Sequence, residues 1–274
     1  MTVKTIELKE QGSLEGAKLQ VYILDTSENY QKGLRRPLVL ICPGGGYERT
    51  SDREAEPVAM RFLAMGYHAA VLRYSCAPAR FPTALLELGR SVLLLREHEE
   101  EWKIEAEKIF IQGSSAGGHL AACLGVFWNR EFLAEALQTE SVLLRPAGLI
   151  LSYPVITAQK GLAHEGSFEN LLGERTEEKQ KLLSLEHQVT AEVPPCFLWH
   201  TYTDGTVPAE NSLLFVTALK QAGVLAEFHL YPEGEHGLSL GDETTMHENG
   251  ERYCRYVQDW IKLAEKWMKK MTVV

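Results

Sequence analysis

The chain has 274 residues, 45% apolar and 24% charged, with a formal net charge of −9. This is the composition of a folded globular protein and excludes disordered and collagen-like classes. The acidic balance argues against nucleic acid or an anionic membrane as partner, because such surfaces repel a chain of this sign and no basic stripe offsets it.

Residues 1–8 alternate polar and apolar positions without a continuous apolar run, so no secretory signal is read there. No stretch approaches the ~18 to 20 apolar residues that span a bilayer. The five cysteines are scattered, with no C-x-x-C pair, and no H-E-x-x-H occurs. They read as reduced core residues of a cytoplasmic protein, and the common zinc signatures are missing.

Strands are predicted over 18–24 and 37–42. The second runs into Gly44-Gly45-Gly46, and successive glycines at a strand end let backbone amides approach a ligand without Cβ obstruction. No G-K-[ST] follows, so a phosphate loop is disfavoured. Tyr47, next to the glycines, is read as a substrate-facing residue. A helix is predicted over 55–65, and Arg53 and Glu54 just before it are given no catalytic role, since an acid there complements the helix dipole. A strand over 68–74 and a helix over 83–100 follow.

The strand predicted over 108–111 leads into Gly113-Ser114-Ser115-Ala116-Gly117 and then a helix over 117–128. A serine on a sharp strand-to-helix turn needs glycine two residues before and two after, where a side chain would collide with its neighbours. Ser115 meets both conditions; Ser114, flanked at that spacing by Gln112 and Ala116, does not. His119 and Trp128, on the helix after the turn, are read as packing residues. The next strand is predicted over 148–152. Residues 155–193 then break the strand–helix alternation and form a small helical insertion, a candidate cap over the site.

A serine nucleophile requires a base, and the base requires an orienting group. In hydrolases built on this turn the chain order is serine, acid, histidine. Of the five aspartates only Asp204 lies between Ser115 and the later histidines, in a loop after the strand predicted over 196–200. After a helix over 209–222 and a strand over 225–231, His236 stands in Glu233-Gly234-Glu235-His236-Gly237. His229 falls inside the strand and His247 at the start of the last helix, so His236 is the base. The amides of Gly45, Gly46 and Ala116 are assigned to the oxyanion. The last helix is predicted over 251–270, capped by Asn249, with Tyr253, Tyr256, Val257, Trp260, Ile261, Ala264, Trp267 and Met268 on one face as core.

Alternating strands and helices give an α/β class with a mostly parallel central sheet flanked by helices, and no linker divides the single domain over 1–274. The stretches Cys42-Pro43-Gly44-Gly45-Gly46-Tyr47, Ala77-Pro78, Phe81-Pro82 and Gly118-His119-Leu120-Ala121-Ala122, with the Asp204 and His236 loops, resemble the α/β-hydrolase superfamily. Within it the chain is similar to the bacterial acetyl esterases labelled acetylxylan-esterase-like or sugar-hydrolase-like. The relatives commonly carry H-G-G-G where this chain has Pro43. The resemblance implies an α/β-hydrolase fold and hydrolysis of a small acyl ester, acetyl above all, from a sugar or oligosaccharide. Tyr47 and a modest cap leave little room for an apolar tunnel, hence short acyl chains. No metal or organic cofactor is required. The alternatives are a peptidase or amidase using the same three residues, and a non-catalytic binding protein on the same scaffold. Oligomeric state is left open, a homodimer included.

Overall fold

The computed structural model describes residues 1–27, 29, 31 and 33–271. Eight strands form one sheet: β1 (Thr2–Glu7), β2 (Lys18–Ile23), β3 (Arg36–Cys42), β4 (His68–Arg73), β5 (Ile104–Ser114), β6 (Gly148–Ser152), β7 (Cys196–Thr201) and β8 (Ala226–Tyr231). Their order is β1-β2-β4-β3-β5-β6-β7-β8. The pairs β1/β2 and β2/β4 are antiparallel, and every pair from β4 through β3 to β8 is parallel.

Side chains alternate across a strand, and strands covered on both faces are apolar at every position. In β3, Leu38, Leu40 and Cys42 enter one core cluster, while Val39 and Ile41 enter the other. Beneath the first face pack α2 (Thr83–Glu97) and α4 (Ala116–Phe127) through residues such as Leu88 and Leu124. The second face is covered by α1 (Glu56–Ala64) and α9 (Trp260–Met271), through Phe62, Trp260 and Trp267.

After β3 the chain crosses to β4 on one side and then returns to β5 on the other. The carboxyl ends of β3 and β5 therefore flank the point where the winding reverses, where open α/β sheets bind ligands. The glycine run follows β3 and Ser115 follows β5, so both arrive at this crevice.

The structure departs from the predicted elements at several places. The N-terminal alternation builds the edge strand β1, and the helix predicted over 83–100 ends at Glu97, with a short α3 (Glu99–Trp102) following. A further helix, α5 (Glu131–Leu137), follows α4. The insertion holds α6 (Glu165–Leu172) and α7 (Glu177–Leu182), and α8 (Glu210–Gln221) falls where a helix was predicted.

The largest difference is the last helix, which begins at Trp260 and not at 251. Gly250 and Arg252 have φ of 85° and 70°, left-handed values that a helix cannot contain. The Cys254 amide donates to the Gly241 carbonyl at 2.9 Å instead of to a preceding turn. Val257, Trp260, Ile261, Ala264, Trp267 and Met268 are buried as predicted, whereas Tyr253 and Tyr256 are 37% and 53% exposed and do not belong to the core.

Candidate active site

Ser115 sits at φ 54°, ψ −119° as the residue preceding α4. This is an unfavourable conformation for a side chain with a Cβ, and packing has to impose it. The Ser115 amide donates to the Ser152 carbonyl at 3.0 Å, and its own carbonyl accepts from Val155 and His119, both at 3.1 Å. The flanking glycines leave no alternative. A Cβ on Gly113 would lie 2.2 Å from the Gly117 carbonyl oxygen, and one on Gly117 would lie 2.0 Å from that of Cys42. The serine is thereby lifted above the sheet with its side chain toward the crevice.

Ser115 Oγ lies 2.7 Å from His236 Nε2, and His236 Nδ1 lies 2.7 Å from Asp204 Oδ2. A carboxylate accepts only, so Nδ1 carries the proton and Nε2 is left to accept from the serine hydroxyl. The Asp204 side chain is fully buried. Its other oxygen accepts from the Thr206 and Val207 amides at 2.9 Å each, and His200 Nε2 stands 3.3 Å from Oδ2. Burial alone raises such a carboxyl, but the hydrogen bonds from His200, His236 and Val207 outweigh it and hold Asp204 well below the usual carboxylate range.

These residues open on a cavity of about 240 Å³ that Gly45, Gly46, Ser115 and His236 line together. Every side chain in its wall is polar or charged, and its remaining residues are glycines. The Gly44 amide is committed to Glu54 Oε2 at 2.9 Å. Ala116 opens α4, where an amide has no carbonyl one turn earlier to bond. Gly45 has φ 123°, and a Cβ there would meet the Arg49 carbonyl oxygen at 2.3 Å.

Glu54 and Arg53, given no catalytic role from the sequence, hold this arrangement together with Tyr153. Glu54, 3% exposed, accepts from the Gly44 amide through Oε2 and from the Tyr153 hydroxyl through Oε1 at 2.6 Å. Tyr153 packs edge-on against the His236 ring, with centroids 5.1 Å apart. Arg53 donates to the Gly237 carbonyl at 3.1 Å. No local signal in the sequence marks Glu54, because its partner Tyr153 comes from the far side of the sheet's winding.

The insertion also reaches the site. His164 lines the cavity, and its Nδ1 lies 2.8 Å from Ser167 Oγ. Burial, with the charge of the neighbouring His236, lowers the His164 imidazole from its ordinary value. Asn170 donates to the Gly46 carbonyl at 3.0 Å.

Tyr47 requires correction. It is 2% exposed and outside the cavity wall; its ring packs against Tyr74 and His119, and its hydroxyl lies 2.9 Å from His119 Nδ1. At φ 56° the backbone turns the phenol inward, where a hydrogen-bond partner offsets the loss of water. His119 and Trp128 pack as predicted, His119 against the Leu183 carbonyl at 3.0 Å and Trp128 against that of Glu192 at 3.0 Å, so both tie α4 to the insertion.

Comparison with known proteins places these features in context. The model of the BD-FAE family matches residues 24–219. An acetylxylan esterase of Xylanibacter ruminicola is 26% identical over 228 residues, covering 80% of this chain and 44% of its own. The crystal structure of an acetyl ester-xyloside bifunctional hydrolase from Caldicellulosiruptor lactoaceticus is 37% identical, with a TM-score of 0.80 over 94% of this chain and 89% of its own. That of the carboxylesterase Cest-2923 from Lactobacillus plantarum is 28% identical, with a TM-score of 0.85 over 98% of both chains. The chain spans about a third to a half of the length of the curated relatives it matches. Among the described residues no helix is long and apolar enough to cross a membrane.

Proposed function

The chain belongs to the BD-FAE family and has the α/β-hydrolase fold, and from that premise we propose that it is a carboxylic ester hydrolase that removes short acyl groups, acetyl above all, from a sugar or oligosaccharide. The observation that carries the reading is the hydrogen-bonded series from Ser115 through His236 to Asp204, each step 2.7 Å.

In this mechanism Ser115 Oγ attacks the ester carbonyl carbon while His236 Nε2 takes its proton. The amides of Gly45, Gly46 and Ala116 hold the oxyanion of the tetrahedral intermediate. Collapse breaks the carbon–oxygen bond to the alcohol, which leaves with the proton returned by His236. Water, deprotonated by His236, then attacks the acyl-enzyme carbonyl; the second tetrahedral intermediate collapses as His236 returns the proton to Ser115 Oγ, and the carboxylic acid leaves and ionises in solvent. Asp204 accepts from Nδ1 throughout and stabilises the imidazolium. Every group in these steps belongs to the chain itself.

The nature of the alcohol is inferred from the wall of the cavity, where polar and charged side chains suit hydroxyl groups. The names of two relatives, an acetylxylan esterase and an acetyl ester-xyloside hydrolase, support the same substrate class.

Acetate release from acetylated xylo-oligosaccharides, set beside turnover of aminoacyl nitroanilides, tests the reading, together with fluorophosphonate labelling of wild type and Ser115→Ala. Expected are acetate release, negligible nitroanilide cleavage and labelling confined to the wild type. Faster nitroanilide cleavage overturns the ester assignment, and equal labelling of the variant removes Ser115 from the mechanism.

A further inference from the structure

Beside the histidine loop lies a second and larger cavity of about 830 Å³, lined by Glu233, Gly234, Glu235, Tyr253 and Tyr256 among others. It falls within the ~300–1,000 Å³ of ordinary ligand cavities, whereas the cavity at Ser115 falls below it. The two adjoin at one pair of residues. Glu235 lines the large cavity and Arg252 the small one; Glu235 accepts from the Arg252 amide at 2.9 Å and pairs with its guanidinium at 3.2 Å.

Among the described residues three tyrosines are exposed: Tyr202 at 72%, Tyr256 at 53% and Tyr253 at 37%. Two of them line this cavity, and the third adjoins Thr203, which also lines it. The other described tyrosines are buried or half-buried. Exposed aromatic surface gathered at one place, with hydrogen-bonding groups around it, marks a recognition surface. Here those groups are the carboxylates of Glu233 and Glu235 and the guanidinium of Arg255.

We infer that this groove is an oligosaccharide subsite continuous with the Ser115 cavity. Its chemistry selects the ligand. A sugar ring presents flat C–H faces that lie on phenol rings, and paired hydroxyls that bridge carboxylates and a guanidinium. Two carboxylates in the wall repel phosphate, which disfavours a nucleotide or nucleic acid. The size of the Ser115 cavity points the same way: it admits an acyl group and the unit bearing it, and across the Glu235–Arg252 pair a neighbouring unit reaches the groove. The substrate of the site is then an oligomer rather than a free acetylated monosaccharide, a statement that deepens the esterase reading and rests on it.

The test separates binding from hydrolysis. Unsubstituted xylo-oligosaccharides of increasing length are titrated calorimetrically into Ser115→Ala and into the same protein carrying Tyr253→Ala and Tyr256→Ala. Affinity is expected to rise with chain length in the first and to drop about tenfold in the second, since both ring faces are then lost. Tyr→Phe at both positions, which keeps the ring faces, should retain most of the binding. In the active enzyme the ratio of kcat/KM for an acetylated oligosaccharide to that for p-nitrophenyl acetate should fall about tenfold in the double alanine variant.

Length-independent binding, or equal binding by the alanine variant, overturns the inference. So does a change in sedimentation of that variant from oligomer to monomer, which identifies the groove as a contact between copies. Failure of fluorophosphonate labelling with length-dependent binding intact would strike the esterase reading and leave the groove standing.

Discussion

The Tyr153 hydroxyl donates to Glu54 Oε1 at 2.6 Å, joining the turn after β6 to the carboxylate that holds the glycine loop. Both carboxyl oxygens accept, one from Tyr153 and one from the Gly44 amide, and the phenol oxygen in turn accepts from the Ser239 amide at 2.8 Å. The distance between the glycine loop and the His236 loop is thus fixed through two buried side chains, Glu54 and Tyr153. Glu54→Gln keeps the shape but supplies an N–H that faces another donor. It is expected to lower kcat about 10- to 100-fold with little change in KM, because the donors are misplaced for the transition state more than for the ester. Tyr153→Phe should lose less, since Gly44 keeps its acceptor. Steady-state kinetics on p-nitrophenyl acetate with thermal unfolding of both variants checks this; a loss confined to Tm, with kcat intact, would refute it.

Asp204→Asn tests the orienting role. An amide in this position presents its NH2 or its oxygen to His236 Nδ1 and no longer stabilises the imidazolium. A fall in kcat of about a thousand- to ten-thousand-fold is expected. The pH dependence has a definite sign as well. Because the Asp204 carboxyl is held below its usual range, its contribution to stability is complete above the ordinary carboxylate pKa. That contribution is lost only as pH falls through the depressed folded value. Acid unfolding should therefore begin at higher pH in Asp204→Asn, as circular dichroism across an acid titration will report.

The site divides into parts that the sequence declares and parts that folding assembles. The turn at Ser115 is declared because its constraint is local: Gly113 and Gly117 meet backbone within a few residues or on the adjacent strand. Asp204 is declared by scarcity, as the sole aspartate in the required interval. Glu54 is not, because an acid before a helix has an adequate local explanation and its partner is 99 residues away. Tyr47 misleads for the opposite reason, since adjacency to Gly46 says nothing about which way a left-handed residue turns its side chain. Tyr253 and Tyr256 continue the helical periodicity of α9, yet Gly250 and Arg252 adopt backbone that ends it. Strands buried on both faces show plainly as apolar runs, whereas the exposed edge strand β1 is legible only as an alternation.

On the proposed reading, acyl-chain length is set by the wall of the Ser115 cavity. Each methylene moved from water into apolar surroundings gains about 0.8 kcal/mol, but this wall has only polar side chains and glycines to offer. A longer chain gains little there beyond the arginine stems and outgrows the cavity of about 240 Å³. Across p-nitrophenyl esters from acetate to octanoate, kcat/KM is expected to fall by about tenfold or more. An octanoate ester that outpaces acetate would contradict the short-chain assignment.

Gly117→Ala should be among the most damaging single substitutions. The added methyl group would lie 2.0 Å from the Cys42 carbonyl oxygen and 2.4 Å from that of Pro43. Neither is a flexible side-chain tip, so β3 and α4 have to separate. Overpacking of this kind costs about 3 kcal/mol, and a chain that fails to accumulate in soluble form is consistent with it. Gly205→Ala, at a position with open space around its Cβ, serves as the comparison and should fold normally. Chemical denaturation of both variants decides, and equal midpoints would refute the steric account.

His119 gives stability its own pH dependence. Its Nε2–H donates to the Leu183 carbonyl at 3.0 Å, so Nδ1 is unprotonated and accepts from the Tyr47 hydroxyl. Burial lowers the imidazole to about 4, because the cation would lose its water and face a donor on Nδ1. The unfolded chain binds the proton first, near its ordinary pKa of about 6.5. The stability from His119 is therefore complete above that pH and is lost as pH falls toward 4, about 3 kcal/mol in all. His68, also lowered to about 4, adds a slope of the same sign that both proteins share. His119→Gln should be less stable than wild type at pH 7, through the weakened contacts to Leu183 and Tyr47, and should lose less on acidification. Denaturant midpoints at pH 7, 6 and 5 give the comparison: parallel pH profiles for the two proteins would mean that the proton is taken up elsewhere.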